Sequence, residues 1–190
     1  MTHMAKSDIL SDGRIYLRPY RLSDAAALSA MTSRDEIYET TYNIQREFDE
    51  EHAKWWIKFN NNCRRTGTSY EFGIFESVTD ALVGNIGIVN INSRCSHATL
   101  AYYIHPERWG EGIATEAGEL MLRYAFGTLG LNRVGAICMV QNAASRRVLD
   151  KLGFTFEGVA RQEIMKDDIF YDVAHYGLLR QDYAKRRRGL

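Results

Sequence analysis

The sequence is poor in the residues that mark several function classes. Cysteine occurs three times in 190 residues, at positions 63, 95 and 138. The count is odd, the spacing is wide and no CxxC pair occurs, which argues against a disulfide framework or a zinc site. Reduced structural thiols in a cytoplasmic chain are the expectation, with no metal. Proline occurs only twice, and no Pro/Gly/Ser-rich linker divides the chain, so a single domain is expected. No apolar run is long enough to cross a bilayer. The opening "MTHMAKSDIL" lacks the apolar stretch of a signal peptide. Net charge is absent too: 24 Lys and Arg balance 24 Asp and Glu. Nothing global therefore argues for nucleic acid or a membrane as partner. The exception is the end, Lys185, Arg186, Arg187 and Arg188, which reads as a solvated terminus.

What is present suits a packed core. Hydrophobic residues make up 45% and aromatic ones 12%, which argues against disorder. Residues 14–20 and 69–76 read as strands, as do 82–92, 98–105 and 132–140, and two more close the chain around the turn "MKDD". Helices are expected at 22–31, with Ser23 as its cap, at 47–62 and after residue 112. Another opens at Asn142 and is closed by Gly153. The order is β-αα-βββ-α-β-α-ββ. It predicts an α/β (α+β) domain over 13–180, with a mixed sheet of about seven strands and about four helices. Residues 1–12 and 181–190 are expected as flexible ends.

One stretch calls for a chemical reason. "HPERWGEGIATEA" (105–117) places Gly110 and Gly112 at the mouth of an amphipathic helix. Glycine is costly inside a helix, so it serves either as a plain turn or as a backbone that something must approach closely. A P-loop needs GxxxxGK[ST], and no Lys stands in that register. A dinucleotide fingerprint needs GxGxxG, and position 115 is Thr. What remains is GxGxA opening a helix, where unpaired N–H groups and the helix dipole suit a pyrophosphate.

Several spaced motifs then resemble the GNAT superfamily of acetyl-CoA-dependent N-acetyltransferases, over roughly residues 13–180. The family's pyrophosphate pattern [Q/R]-x-x-G-x-[G/A] is met at Gly112 and Ala114, whereas Trp109 stands where Arg or Gln is usual. "NAASRRVLDKLGF" (142–154), "RIYLRPYRLSDA" and "YDVAHYGLLRQDY" are similar to the RimJ/RimL-like branch, the ribosomal-protein N-terminal acetyltransferases. That branch carries Ser145 three residues after Asn142, where many relatives rely on a Tyr at the position of Leu149.

The resemblance implies a GNAT-like fold and a site. Acetyl-CoA would lie between two splayed strands, 98–105 and 132–140, bonded to backbone near Tyr103 and Ile104. Its pyrophosphate would rest on Trp109, Gly110, Glu111, Gly112, Ile113, Ala114 and Thr115. Asn142 is a helix cap or a cofactor contact. Ser145 would donate a hydrogen bond to the departing sulfur. A base for the amine is harder to find: Glu71, Glu163, Asp172 and His175 are the candidates. The family's glutamate falls on Ile164 by ungapped match, beside Glu163, and neighbours in a strand face opposite ways. With no dedicated base, a protein α-amine is the favoured acceptor, because its pKa of about 7.7–8.0 leaves a useful fraction neutral. Asp49, Glu50 and Glu51 either attract a cationic substrate or stabilise a helix start. A small-molecule amine (polyamine, amino acid, antibiotic or toxin) as acceptor, or a non-catalytic acyl-CoA-binding module, is the alternative. Monomer and homodimer both stay open.

Overall fold

A computed structural model describes residues 9–11 and 13–189. The expectation of a flexible amino-terminal end falls mainly on residues outside the described ones. Among the described residues, eight strands form one sheet: β1 (Leu10–Ser11), β2 (Ile15–Arg18), β3 (Tyr70–Glu76), β4 (Leu82–Asn92), β5 (His97–Ile104), β6 (Arg133–Met139), β7 (Thr155–Lys166) and β8 (Ile169–Leu179). Their spatial order is β1-β2-β3-β4-β5-β6-β8-β7. All neighbours run antiparallel except β5 and β6. Six α-helices accompany them among the described residues: α1 (Ala25–Thr32), α2 (Asp35–Thr40), α3 (Glu50–Thr66), α4 (Ile113–Arg123), α5 (Ala143–Lys151) and α6 (Arg180–Arg188).

The two faces of the sheet are read from its alternation. Leu17, Phe72, Ile74, Ile86, Ile88 and Leu100 point to one side, where Ile113, Ala117, Leu120 and Met121 of α4 cover them. The other side meets α1 and α3 through Leu28, Met31, Ala53 and Ile57. Among the described residues, no helix is long and apolar enough to cross a membrane.

The structure departs from the sequence reading in four places. The strand count is eight because two residues of β1 pair with Leu17 and Tyr16. The short α2 was not expected, since six residues show too little periodicity to be read. Residues 180–188 form a helix where a flexible end was expected; Tyr183 packs against Phe126 at 5.0 Å between ring centroids and is buried. Ser23 caps nothing: it lies within a short turn, Leu22–Asp24, whose anchor is the Asp24 carboxylate. That group accepts from the Arg21 N–H at 2.7 Å and from both terminal nitrogens of buried Arg18 at 2.7 and 2.9 Å.

Candidate active site

The parallel contact between β5 and β6 is short. It pairs His97 with Arg133, Ala98 with Val134 and Thr99 with Gly135, and then ends. β6 turns away to run with β8 as far as Met139, which leaves Leu100–Ile104 without a neighbour on that side. A wedge opens between the two strands. The direction of the backbone follows from two observations. The His105 N–H bonds to Val83 O at 2.9 Å, and the Tyr103 carbonyl oxygen lies against Gly84. Odd-numbered residues here thus turn their polar groups to β4. Leu100, Tyr102 and Ile104 turn theirs to the wedge. Of the two strand residues named from the sequence, Ile104 faces the wedge with its backbone and Tyr103 does not.

Trp109 modifies that edge. Its indole Nε1 donates to the Ile104 carbonyl at 2.8 Å. It therefore occupies the outermost acceptor of the wedge.

The helix mouth is built as a cradle. Gly110 and Gly112 both have φ near +82°, a conformation that costs a residue with a Cβ about 1–2 kcal/mol. A Cβ at either position would point into open space, with nothing within 4 Å. The first intrahelical bonds run from Thr115 and Glu116 N–H to Gly112 O, so the amides of Ile113 and Ala114 precede them. These features fit a pyrophosphate held by backbone. Glu111 turns away from this space. Its carboxylate takes Arg108 at 2.9 and 3.0 Å, and its carbonyl accepts from Arg14 at 2.9 Å.

The cradle and the wedge belong to one cavity of about 810 Å³ that continues to the loop between α2 and α3. Tyr103, Ile104, Trp109, Gly110, Gly112, Ile113, Ala114, Thr115, Asn142 and Ser145 all line it. Glu111 and Glu163 do not.

α5 supplies the wall opposite β5. Asn142 caps it, its Oδ1 accepting the Ser145 N–H at 3.0 Å, while its Nδ2 donates to Thr40 O at 3.2 Å. The amide expected to reach the cofactor arm thus ties α5 to α2. Ser145 Oγ stands 2.9 Å from the Tyr102 hydroxyl. Cys138 lines the same wall, its thiol pushed up by burial and partly held down by a hydrogen bond with Ser145. Tyr102 was not among the residues named from the sequence. Its signal was period two: it shares the wedge side with Leu100 and Ile104.

The base candidates separate sharply. Glu71 lines the cavity and bonds to Asn85. Glu163 Oε2 pairs with His175 Nε2 at 2.6 Å, outside the cavity, though its charge is felt by Tyr42 on the rim. The β7–β8 register shifts between Ala160 and Ile164, with Gln162 at φ +53° and its N–H on the Asp172 carboxylate at 2.8 Å. Strict alternation therefore fails at Glu163, and Asp172 serves the bulge. Asp49 caps α3 by accepting from His52 N–H at 2.7 Å, and Glu50 and Glu51 pair with Lys54. These three acids stabilise a helix start.

The profile of a family described as Acetyltransferase (GNAT) domain matches residues 14–155. The uncharacterized N-acetyltransferase YoaA of Bacillus subtilis (strain 168) is 33% identical over 172 residues, covering 90% of this chain and 97% of that protein. The ribosomal protein uS5-alanine N-acetyltransferase of Escherichia coli (strain K12) is 27% identical over 145 residues, 73% of this chain and 75% of its own. The fold is also that of Mycobacterium smegmatis RimJ in complex with CoA-disulfide, with a TM-score of 0.84 at 24% identity over 96% of this chain and 94% of that one. The family match spans most of the chain and the Bacillus relative is similar over nearly its whole length, so the chain belongs to the GNAT acetyltransferases and is an acetyl-CoA-dependent N-acetyltransferase.

Proposed function

We propose that this enzyme acetylates the α-amine of a protein or peptide in the cytoplasm. Bound acetyl-CoA supplies an activated acetyl thioester. The chain's own part is to hold it by the amides at Gly110–Ala114 and by the wedge-facing backbone of β5, and to set Ser145 beside the departing sulfur. The acceptor reaches the wedge from the far end of the cavity, between the α2–α3 loop and α3.

One observation carries the acceptor class. Among the described residues that line the cavity, Glu71 is the only carboxylate. A polyamine brings several ammonium groups, and each would need a partner on leaving water. One carboxylate serves one amine. The rest of the far end offers hydroxyl and amide side chains, Thr41, Asn43, Gln45 and Asn60, which suit the amides of a peptide backbone. The Escherichia coli relative, a ribosomal protein uS5-alanine N-acetyltransferase, supports the same class.

A mixed panel tests this: peptides with free N-termini, polyamines, amino acids and amine-bearing antibiotics, offered with acetyl-CoA and read by mass. Acetylation of peptide N-termini is expected. Preferential acetylation of a polyamine would refute it.

A further inference from the structure

Glu71 occupies an unusual position. Its side chain leaves β3 on the face covered by α1 and α3. Gly87 pairs with Glu71 on one side and with Ala101 on the other. A Cβ at Gly87 would collide with the Glu71 carboxylate, so the glycine lets that group lie flat across β4 toward β5. Ala101 sits just past Thr99–Gly135, the last pair before the wedge opens.

The carboxylate is also oriented. Its Oε2 accepts from Asn85 Nδ2 at 2.9 Å, and Asn85 Oδ1 accepts from the Tyr20 hydroxyl at 3.0 Å. Asn85 and Tyr20 are both buried. With the Tyr20 hydrogen spent on Oδ1, Asn85 turns its NH₂ to Glu71. By alternation Tyr102 points to the opposite face from Ala101 and Tyr103, and there it meets Ser145. The apex of the wedge is therefore flanked by Ser145 on one face and Glu71 on the other.

We infer that Glu71 is the general base of this enzyme, held in place by Asn85 and Tyr20. The amine nitrogen forms the C–N bond to the acetyl carbon, and the C–S bond breaks. The Glu71 carboxylate takes the amine proton, and sulfur leaves as a thiolate that Ser145 hydrogen-bonds. Glu71 then returns the proton to solvent, which protonates the thiolate. The products are the amide and the free thiol.

The surroundings suit that task. Burial raises the Glu71 carboxyl to about 7, the Asn85 hydrogen bond acting the other way, and a base poised near the working pH is the most effective. The groups around it are few. Tyr20 and Tyr103 are raised by burial and stay neutral, Arg18 and Asp24 are paired behind Tyr20, and His52 of α3 lines the same cavity.

This inference rests on the acceptor being an amine, and not on which amine. The test is the pH profile of kcat with the best acceptor of the panel, for parent, Glu71→Gln, Asn85→Ala and Glu163→Gln, with acetyl-CoA affinity measured alongside. The parent should show a limb near pH 7. Glu71→Gln should lose about 10²–10³-fold in kcat at pH 7, keep its acetyl-CoA affinity, and show a rate that follows the amine's own ionisation. Asn85→Ala should move the limb upward, because the carboxylate loses a donor. A limb that persists in Glu71→Gln, or that vanishes in Glu163→Gln, overturns the assignment. Should Glu71→Gln fail to fold, an unmoved limb in Asn85→Ala overturns it instead. Peptides refused by the parent enzyme would defeat the acceptor reading alone, since the profile is then taken with the amine that is accepted.

Discussion

The Tyr102 hydroxyl lies 2.9 Å from Ser145 Oγ and 3.2 Å from the Ser145 carbonyl oxygen. It has one hydrogen for two acceptors. Given to the carbonyl, it leaves the serine hydrogen directed at the tyrosine oxygen. Given to Oγ, it frees the serine hydrogen for a sulfur in the wedge. The role proposed for Ser145 needs the second arrangement, which makes the two residues a unit.

Ser145→Ala should therefore lower kcat by about 10–100-fold, the range of one lost hydrogen bond to a charged atom. Acetyl-CoA affinity should change much less. Tyr102→Phe should act in the same direction, and the double variant should be little worse than Ser145→Ala. Steady-state kinetics at saturating substrates, with binding calorimetry, decide it. Additive losses would separate the two residues.

Gly112→Val should fold and bind acetyl-CoA poorly. A Cβ there meets nothing of the protein within 4 Å, the side chain would fill the place of a phosphate, and αL backbone costs about 1–2 kcal/mol. Affinity should fall at least about a hundredfold by calorimetry, as charge-assisted bonds are lost. Unchanged affinity would remove the pyrophosphate from this helix mouth.

Much of this was legible in advance because it is written in backbone chemistry. Gly110 and Gly112 mark a turn or an open backbone at a helix start, where both have positive φ, and period-two strands place the sheet. The wedge was legible only through the resemblance. What stayed hidden depends on contacts between distant residues. Glu71, Asn85 and Tyr20 come from three separate segments, and no spacing rule links them. The Trp109–Ile104 bond depends on a rotamer, and the bulge at Gln162 breaks the alternation from which Glu163 was judged. α2 was too short to show a period.

Asn142→Ala should cost about 1 kcal/mol of stability as the α5 cap is lost. It should also release α5 from Thr40 O, to which Asn142 Nδ2 donates at 3.2 Å. Hydrogen exchange should quicken in α2 as well as in the first turn of α5. Quickening confined to α5 would reduce Asn142 to a cap.

The raised carboxyl of Glu71 has a cost in stability, and its sign is fixed. The group binds its proton more tightly in the folded state than in the unfolded one. Its stabilising effect is present below pH 4.5 and is lost as pH rises to about 7. Glu71→Gln should thus gain on the parent across that window, by roughly 1–3 kcal/mol at pH 8 relative to pH 4.5. Denaturant unfolding at both pH values measures it. A difference that does not change with pH would return Glu71 to an ordinary ionised carboxylate.

In the proposed reaction one amine, the α-amine of a peptide, meets the thioester over Glu71. Two peptides of the same sequence test it most directly at pH 7: one with a free N-terminus and its lysine blocked, the other blocked at the N-terminus with a free lysine. The lysine amine, with a pKa of about 10.4, is almost wholly protonated there. Mass spectrometry should show acetyl on the free N-terminus at a rate at least about tenfold higher. Faster acetylation of the lysine peptide would rule out the α-amine as the preferred acceptor.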